Sequence, residues 1–265
     1  MTIKDITVVI ATYKSEDKIQ NCINSIDSNI EIILVENSDN KNFQTNIQSK
    51  FSNVKCILAN DNLGYGKANN IGLKNVKTKY SLILNPDTIL EKDAINNFIL
   101  FTEKKINFAI LGPKQDKKLS VLAYQDFKSL NIFEVKYIKG FAMFLNMKKF
   151  KNIGFFDENL FLFLEEIDLC KRIKKINEKI FIDENIKIFH YGGKSVGHNF
   201  SQEVELTRNW HWMWSTFYFN KKYNGFFIAF IKIVPTILKS FSKFIFYSLT
   251  FNKKKEIFIY TDCRE

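Results

Sequence analysis

Four groups of residues in this sequence have types and spacings suited to chemistry. Glu165-Glu166-Ile167-Asp168 gathers three carboxylates at the expected start of a helix, directly after the apolar stretch 161–164. An apolar wall raises a carboxylate's pKa toward the range of a general base. The competing reading is dipole stabilisation by first-turn acids, about 0.3–1 kcal/mol each. Asp168 also stands four residues before Arg172, the spacing of a pair along one helix face. Asn85-Pro86-Asp87 closes a strand-like run, where a carboxylate can hold a divalent cation, Mg²⁺ or Mn²⁺, that also binds diphosphate oxygens. Histidine occurs three times, at 190, 198 and 211. His190 ends a second strand-like run ahead of the polar loop around Gly192 and Gly193, and can complete the coordination begun by Asp87. The stretch 62–70, Asn-Leu-Gly-Tyr-Gly-Lys-Ala-Asn-Asn, pairs glycines with amides at a strand-to-helix junction. Glycine permits close backbone approach, and a helix N-terminus favours phosphate. Asn69 stands where the dinucleotide fingerprint needs its third glycine, so that motif is excluded.

The elements that must position these groups follow from hydrophobic patterning. Residues 6–11 form a β-branched run suited to a strand buried on both faces, and 18–26 place Ile19, Cys22, Ile23 and Ile26 on one helix face. Strands are expected at 30–35, 54–59, 80–84 and 108–111, and helices at 66–76 and 94–104. Repeated β-α-β units imply an α/β fold with a mostly parallel, Rossmann-like sheet flanked by helices. Such sheets bind ligands beyond the C-terminal ends of their strands. The segments 12–13, 36–39, 60–66 and 85–87 fall there. Past Pro113 the pattern loosens into short antiparallel strands within 117–146, an apolar loop at 155–164, a helix at 165–175 and short strands at 180–182 and 186–189. From Ser201 the chain reads as a helical region with aromatic clusters, so the expected organisation is 1–200 and 201–265.

Composition narrows the class. With 265 residues, 46% hydrophobic and 25% charged, the chain is long and apolar enough for a large core and is not disordered. It carries no fixed repeat or heptad run, which excludes solenoid and fibrous forms. Net charge is +11, from 39 basic and 28 acidic residues; from Lys221 onward nine basic and three acidic residues give +6. Within 226–251, Lys232, Lys239 and Lys243 interrupt an apolar stretch at spacings of seven and four, which puts them on one helical face. Lys253, Lys254 and Lys255 follow. That pattern describes a basic amphipathic helix lying on an anionic membrane surface through 226–255, not a spanning helix and not a nucleic-acid site. The N-terminal MTIKDITVVIATYK reads as a first strand and not as a signal peptide. Cys22, Cys56, Cys170 and Cys263 form no CxxC pair and read as buried reduced thiols of a cytosolic protein.

Taken in order, these pieces resemble the family 2 glycosyltransferases, especially the bacterial rhamnosyltransferase-like branch. The matching residues are VVIATYK at 8–14, VEN at 35–37, NLGYGKANNIG at 62–72 and NPDTIL at 85–90. KGFAMFLN at 139–146, GFFDENLFLFLEEIDLCKRI at 154–173 and FHYGGKSVG at 189–197 continue the series, and the likeness covers roughly 5–225. The resemblance implies a GT-A fold over 1–200 and inverting transfer of a sugar, rhamnose or a similar hexose, from a nucleotide-diphosphate donor. The implied acceptor is a hydroxyl of a lipid-linked or growing surface glycan at the inner face of the plasma membrane. By position, Thr12, Tyr13 and Glu36 match nucleoside contacts. Asn62 and Gly64 fall near the base or diphosphate, and Asn69 and Asn85 belong to the same donor-binding set. Asp87 matches the last aspartate of the metal-binding motif, and His190 the histidine that joins it. Glu166 falls where the catalytic base stands, flanked by Glu165 and Asp168. The usual pair at that helix start is Glu-Asp or Asp-Asp, and many relatives carry Asp in place of Asn85. Two other classes share these features. A sugar nucleotidyltransferase would carry a Gly-rich basic loop after the first strand, where this chain has Ala11-Thr12-Tyr13-Lys14. A membrane-binding protein of the same fold with a decayed catalytic site would accommodate Glu165-Glu166.

Overall fold

The computed structural model describes residues 1–38, 40–114, 121–123, 131–192 and 201–249. Gly193, His198, Cys263 and the run Lys253, Lys254, Lys255 lie outside the described residues, as does most of 115–130. In chain order the elements are β1 (Ile6–Thr12), α1 (Glu16–Asn24), β2 (Glu31–Glu36), α2 (Lys41–Lys50), β3 (Val54–Leu58) and α3 (Gly64–Asn75). Next come β4 (Tyr80–Leu84), β5 (Thr88–Leu90), α4 (Ala94–Glu103), β6 (Ile110–Pro113), β7 (Val121–Ala123) and β8 (Ile132–Val135). The series closes with β9 (Ala142–Asn146), α5 (Met147–Ile153), α6 (Glu165–Lys175), β10 (Ile180–Asp183), β11 (Ile188–His190), α7 (Ser201–Asn224) and α8 (Phe226–Leu249).

One sheet runs in the order β3-β2-β1-β4-β9-β6-β10-β8-β7, and β5 pairs with β11 in a separate two-stranded sheet. β3, β2, β1 and β4 are mutually parallel; β9 is antiparallel to both of its neighbours, and β6 and β10 are parallel to each other. The apolar runs are continuous because both faces are covered. Val8 and Ile10 enter one core with Ile32, Leu34 and Leu82, while Val9 enters the other with Ile33, Val35 and Ile83. Helix α3 comes so close to the sheet that a Cβ on Gly72 would stand 2.5 Å from Val9 Cγ1. Only glycine permits that approach.

Three elements, α2, β5 and α5, departed from the expected pattern. Helix α2 buries only Phe43 and Ile47 and was not marked by a continuous apolar stripe; its start is fixed by the Asn40 side chain, which accepts from Phe43 N at 3.0 Å. Strand β5 is three residues long and exists through its pairing with β11.

The chain divides into two compact units, Met1–Glu158 with Glu166–Gly197, and Asn159–Glu165 with His198–Glu265. In the second, α8 packs on α7 through the fully buried Ala229, and Pro235 lies inside α8. Phe227, Ile231, Leu238, Phe241 and Ile245 share one helical face of α8 and are all exposed. Among the described residues no helix is long and apolar enough to cross a membrane. Within the same unit, Phe163 and Leu164 both take left-handed backbone (φ 72° and 67°). Phe163 meets Trp212 edge-on and lies under the Arg208 guanidinium, and Ser215 Oγ donates to Leu162 O at 2.7 Å.

Replacing Gly72 by Ala forces its new methyl into the stiff Val9 side chain, and is expected to lower unfolding stability by about 1–3 kcal/mol. Urea unfolding of Gly72→Ala, Val9→Ala and the double variant checks this. The double variant should lose less than the sum of the two singles.

Candidate active site

The site is built at the C-terminal edge of β1, β2 and β4. At the tips of the first two, Thr12 and Glu36 are register partners, and Thr12 Oγ1 donates to Glu36 Oε2 at 2.9 Å. The other carboxylate oxygen accepts from Ser38 N at 2.7 Å and from Ser38 Oγ. Burial raises the Glu36 carboxyl above its ordinary value, and the bonds from Ser38 and Thr12 oppose that rise. Tyr13 lies in the turn after β1, which Ser15 Oγ closes by donating to Tyr13 O at 2.9 Å.

Asn37 extends this edge and was not singled out by the sequence reading. Its amide nitrogen donates to Asn62 Oδ1 at 3.0 Å, and its oxygen accepts from Leu63 N at 2.9 Å. Asn62 Oδ1 in turn accepts from Gly64 N at 3.2 Å, and Gly64 takes φ 78°, the left-handed region that glycine enters without cost. Amides thus set the turn that opens α3. Asn69, fully buried, donates to Tyr65 O at 2.9 Å while its Oδ1 has no hydrogen-bond partner.

After β4 the chain makes a β-turn with Pro86 at its second position, closed by Thr88 N donating to Asn85 O at 3.2 Å. The turn buries the Asp87 side chain. β5 starts at once, and its antiparallel register sets His190 opposite Thr88. His190 Nε2 therefore lies 3.4 Å from Asp87 Oδ1 and 3.3 Å from Asn85 Nδ2. The structure brings together the two residues expected to share a cation. Among the described residues no cluster of three His, Cys, Asp or Glu side chains exists. The third protein oxygen at this place is Asn85 Oδ1, buried and without a hydrogen-bond partner. A buried carboxylate, an imidazole nitrogen and an orphaned amide oxygen fit a hard divalent ion that takes its other ligands from solvent and phosphate.

The segment 139–141 connects this corner to α6. Phe141 stacks on the His190 ring at 4.7 Å and 7°, and its carbonyl accepts from Asn85 N at 2.9 Å. One residue earlier, a Cβ on Gly140 would stand 3.5 Å from Glu166 Cβ. Tyr65 Oη donates to Gly140 O at 2.5 Å, tying the same segment to α3. Glu166 thus lies two short contacts from His190. Its side chain is half-buried, and desolvation raises its carboxyl above the ordinary glutamate value, opposed by its own N–H and that of Ile167. Glu165 is buried beside it in sequence.

Asp168 serves another purpose. It is fully buried and paired with Arg172 Nε at 2.8 Å, the i,i+4 pair its spacing had offered. Arg172 also donates to Ile153 O at 2.8 Å and to Phe155 O. Asn70 holds the neighbouring residue on both sides: Nδ2 donates to Phe156 O at 3.0 Å, and Oδ1 accepts from Phe156 N at 3.0 Å. Together these side chains fix the stretch that leads toward α6. An asparagine in a helix interior was the available signal for Asn70, since Asn is a poor helix former without a tertiary partner.

With this geometry in hand, comparison with known proteins assigns the family. The model of Glycosyl transferase family 2 matches residues 7–168, and the chain belongs to that family. The low-salt glycan biosynthesis hexosyltransferase Agl10 of Haloferax volcanii is 25% identical over 199 residues, covering 66% of this chain and 64% of that protein. The chain therefore spans less than two thirds of that relative. Rhamnosyltransferase WbbL of Escherichia coli is 25% identical over 219 residues, covering 69% of this chain and 82% of WbbL. Among solved structures, S. aureus TarS 1–349 superposes with a TM-score of 0.55 at 15% identity, over 97% of this chain and 89% of that one. The mannosyltransferase PcManGT from Pyrobaculum calidifontis, in complex with GDP-Man and Mn²⁺, gives 0.58 at 13%, over 79% and 62%. These likenesses establish the GT-A fold.

Removing Arg172 leaves the Asp168 carboxylate buried without its partner. Arg172→Met is expected to cost about 3 kcal/mol of unfolding stability. Asp168→Asn/Arg172→Met should recover a substantial part, measured by urea titration.

Proposed function

We propose that this chain is an inverting glycosyltransferase that moves a hexosyl group, rhamnosyl or similar, from a nucleotide-diphosphate donor to an acceptor hydroxyl. One observation carries the reading: a buried aspartate paired with a strand-end histidine, joined through residues 139–141 to a glutamate whose carboxyl is held above its ordinary value. A raised carboxylate is suited to accept a proton near neutral pH. Glu166 takes the proton of the acceptor hydroxyl, which attacks the anomeric carbon opposite the leaving diphosphate. Asp87 and His190, with Asn85 Oδ1, would hold a divalent cation, which when bound offsets charge on the departing diphosphate. The tips of β1 and β2, with Thr12, Tyr13 and Glu36, and the turn at Asn62 and Gly64 form the donor end. That PcManGT, a neighbour of the same fold, is in complex with GDP-Man and Mn²⁺ supports a nucleotide-sugar donor and a divalent ion.

The acceptor is proposed to be a lipid-linked or growing surface glycan reached at a cytoplasmic membrane face. The exposed apolar face of α8 supports membrane contact, with Lys239 exposed off that face where it can meet anionic headgroups. A nucleotidyltransferase is less well supported, because the turn after β1 holds no glycine.

Thermal shift against a panel of UDP-, dTDP- and GDP-sugars with Mn²⁺ identifies the donor, since a bound ligand raises apparent stability. With that donor, Glu166→Gln should lower turnover by about 10²–10⁴-fold while donor affinity holds. Near-normal turnover removes Glu166 as base. Because the base must be ionised, the wild-type rate should fall on the acid side with a midpoint above 4.5, the ordinary glutamate value. For the membrane contact, Ile231→Asp/Leu238→Asp in the full chain should weaken partitioning to phosphatidylglycerol vesicles by about tenfold or more. Unchanged co-sedimentation would rule α8 out as the contact.

A further inference from the structure

Tyr65 follows Gly64 in the first turn of α3, and its hydroxyl reaches residues 139–141. Three contacts fix the residue. Its carbonyl accepts from Asn69 Nδ2 at 2.9 Å, and its ring meets Phe156 edge-on, with centroids 5.7 Å apart at 70°. The hydroxyl donates to Gly140 O at 2.5 Å. Phe156 is itself clamped by Asn70, from the same helix, so the tyrosine is held at its backbone and along its ring edge.

Gly140 is where this hold takes effect. From Ala142 onward the chain is fixed by the ladder between β9 and β4, and Phe141 O accepts from Asn85 N. Gly140 stands ahead of that ladder. A Cβ placed on it would lie 3.4 Å from Tyr65 Oη, 3.5 Å from Glu166 Cβ and 3.7 Å from Glu166 Cγ. The hydroxyl on one side and the glutamate stem on the other therefore leave room at Gly140 for little more than a methyl group. Contact along Cβ and Cγ restricts the first two torsions of Glu166, which aim its carboxylate.

We propose that Tyr65 is a positioning residue for Glu166: its hydroxyl pins the Gly140 backbone against the glutamate stem and so sets the direction of the carboxylate. The inference rests on the transferase reading above and adds to it a residue that acts through another. Because Tyr65 adjoins Gly64, the same brace ties the wall behind the base to the turn at the donor end.

The test is a double-mutant cycle in the full chain, which separates a residue that acts through Glu166 from one that acts beside it. Turnover is read as nucleoside diphosphate released from the donor found by thermal shift, with water as acceptor and Mn²⁺ present. Affinity for the nucleoside diphosphate is read by calorimetry. Tyr65→Phe keeps the ring on Phe156 and removes only the hydroxyl. It should lower kcat by about tenfold, since a misplacement of about 1 Å costs up to about 10²-fold, and leave the affinity within about twofold. In the Glu166→Gln background the same substitution should change kcat by less than about twofold, because the group it aims is gone. Tyr80→Phe, which removes a hydroxyl at the other end of β4, should change neither quantity. An unchanged kcat in Tyr65→Phe overturns the proposal. A matching loss of nucleoside diphosphate affinity assigns Tyr65 to the donor end and overturns it too, as does a full loss repeated in the Glu166→Gln background. Near-normal turnover in Glu166→Gln alone is a different failure: it removes the glutamate as base, and the brace then has nothing to aim.

Discussion

Three antiparallel residue pairs, Ile188 with Leu90, Phe189 with Ile89 and His190 with Thr88, hold the whole site together. Asp87 and His190 are far apart in the chain, and closing a loop of that length has an entropic cost that a single side-chain contact does not repay. A short ladder does, because its backbone bonds place the imidazole at the carboxylate whatever the protonation of either group. The large sheet then contributes position: β4 delivers the turn, β9 delivers residues 140–141, and the two are adjacent strands. The Asp87–His190 pair and residues 140–141, against which Glu166 lies, are therefore neighbours through a sheet register and not through loop conformation.

Electrostatics follow burial in the same way. Glu36 and Glu166 both feel desolvation first, but hydrogen bonds from Thr12 and Ser38 work against it at Glu36, where the protein itself occupies both carboxylate oxygens. At Glu166 the opposing bonds are two backbone N–H groups of the helix start. The two glutamates are thus held differently. Glu36 is a strut between strand tips, and the Glu166 carboxyl, also raised, is opposed only by backbone N–H groups. The cysteines illustrate the inert extreme: burial pushes Cys22, Cys56 and Cys170 each up to about 12, so none is a thiolate near neutrality.

Much of this was legible in the sequence where the signal is local. β4 and α6 lie where apolar runs and periodicity placed them, and the Asn85-Pro86-Asp87 turn follows from Pro geometry. The i,i+4 spacing offered the Asp168–Arg172 pair only as a competing reading to a catalytic Asp168, and the pair is what forms. What escaped was long-range. Strand β5 has no pattern of its own, and α2 presents two apolar residues in a polar run. The roles of Asn37, Tyr65 and Gly140 depend on which loop lies opposite, which no spacing along the chain reveals.

The left-handed pair Phe163 and Leu164 carries a consequence for how the chain can be dissected. Each such non-glycine residue is strained by roughly 1–2 kcal/mol, so two in succession persist only if neighbouring contacts compensate. Those contacts, from Arg208, Trp212 and Ser215, all come from α7. In a truncated chain lacking the C-terminal helices, the two residues ahead of the Glu165-Glu166 pair would therefore relax to ordinary backbone.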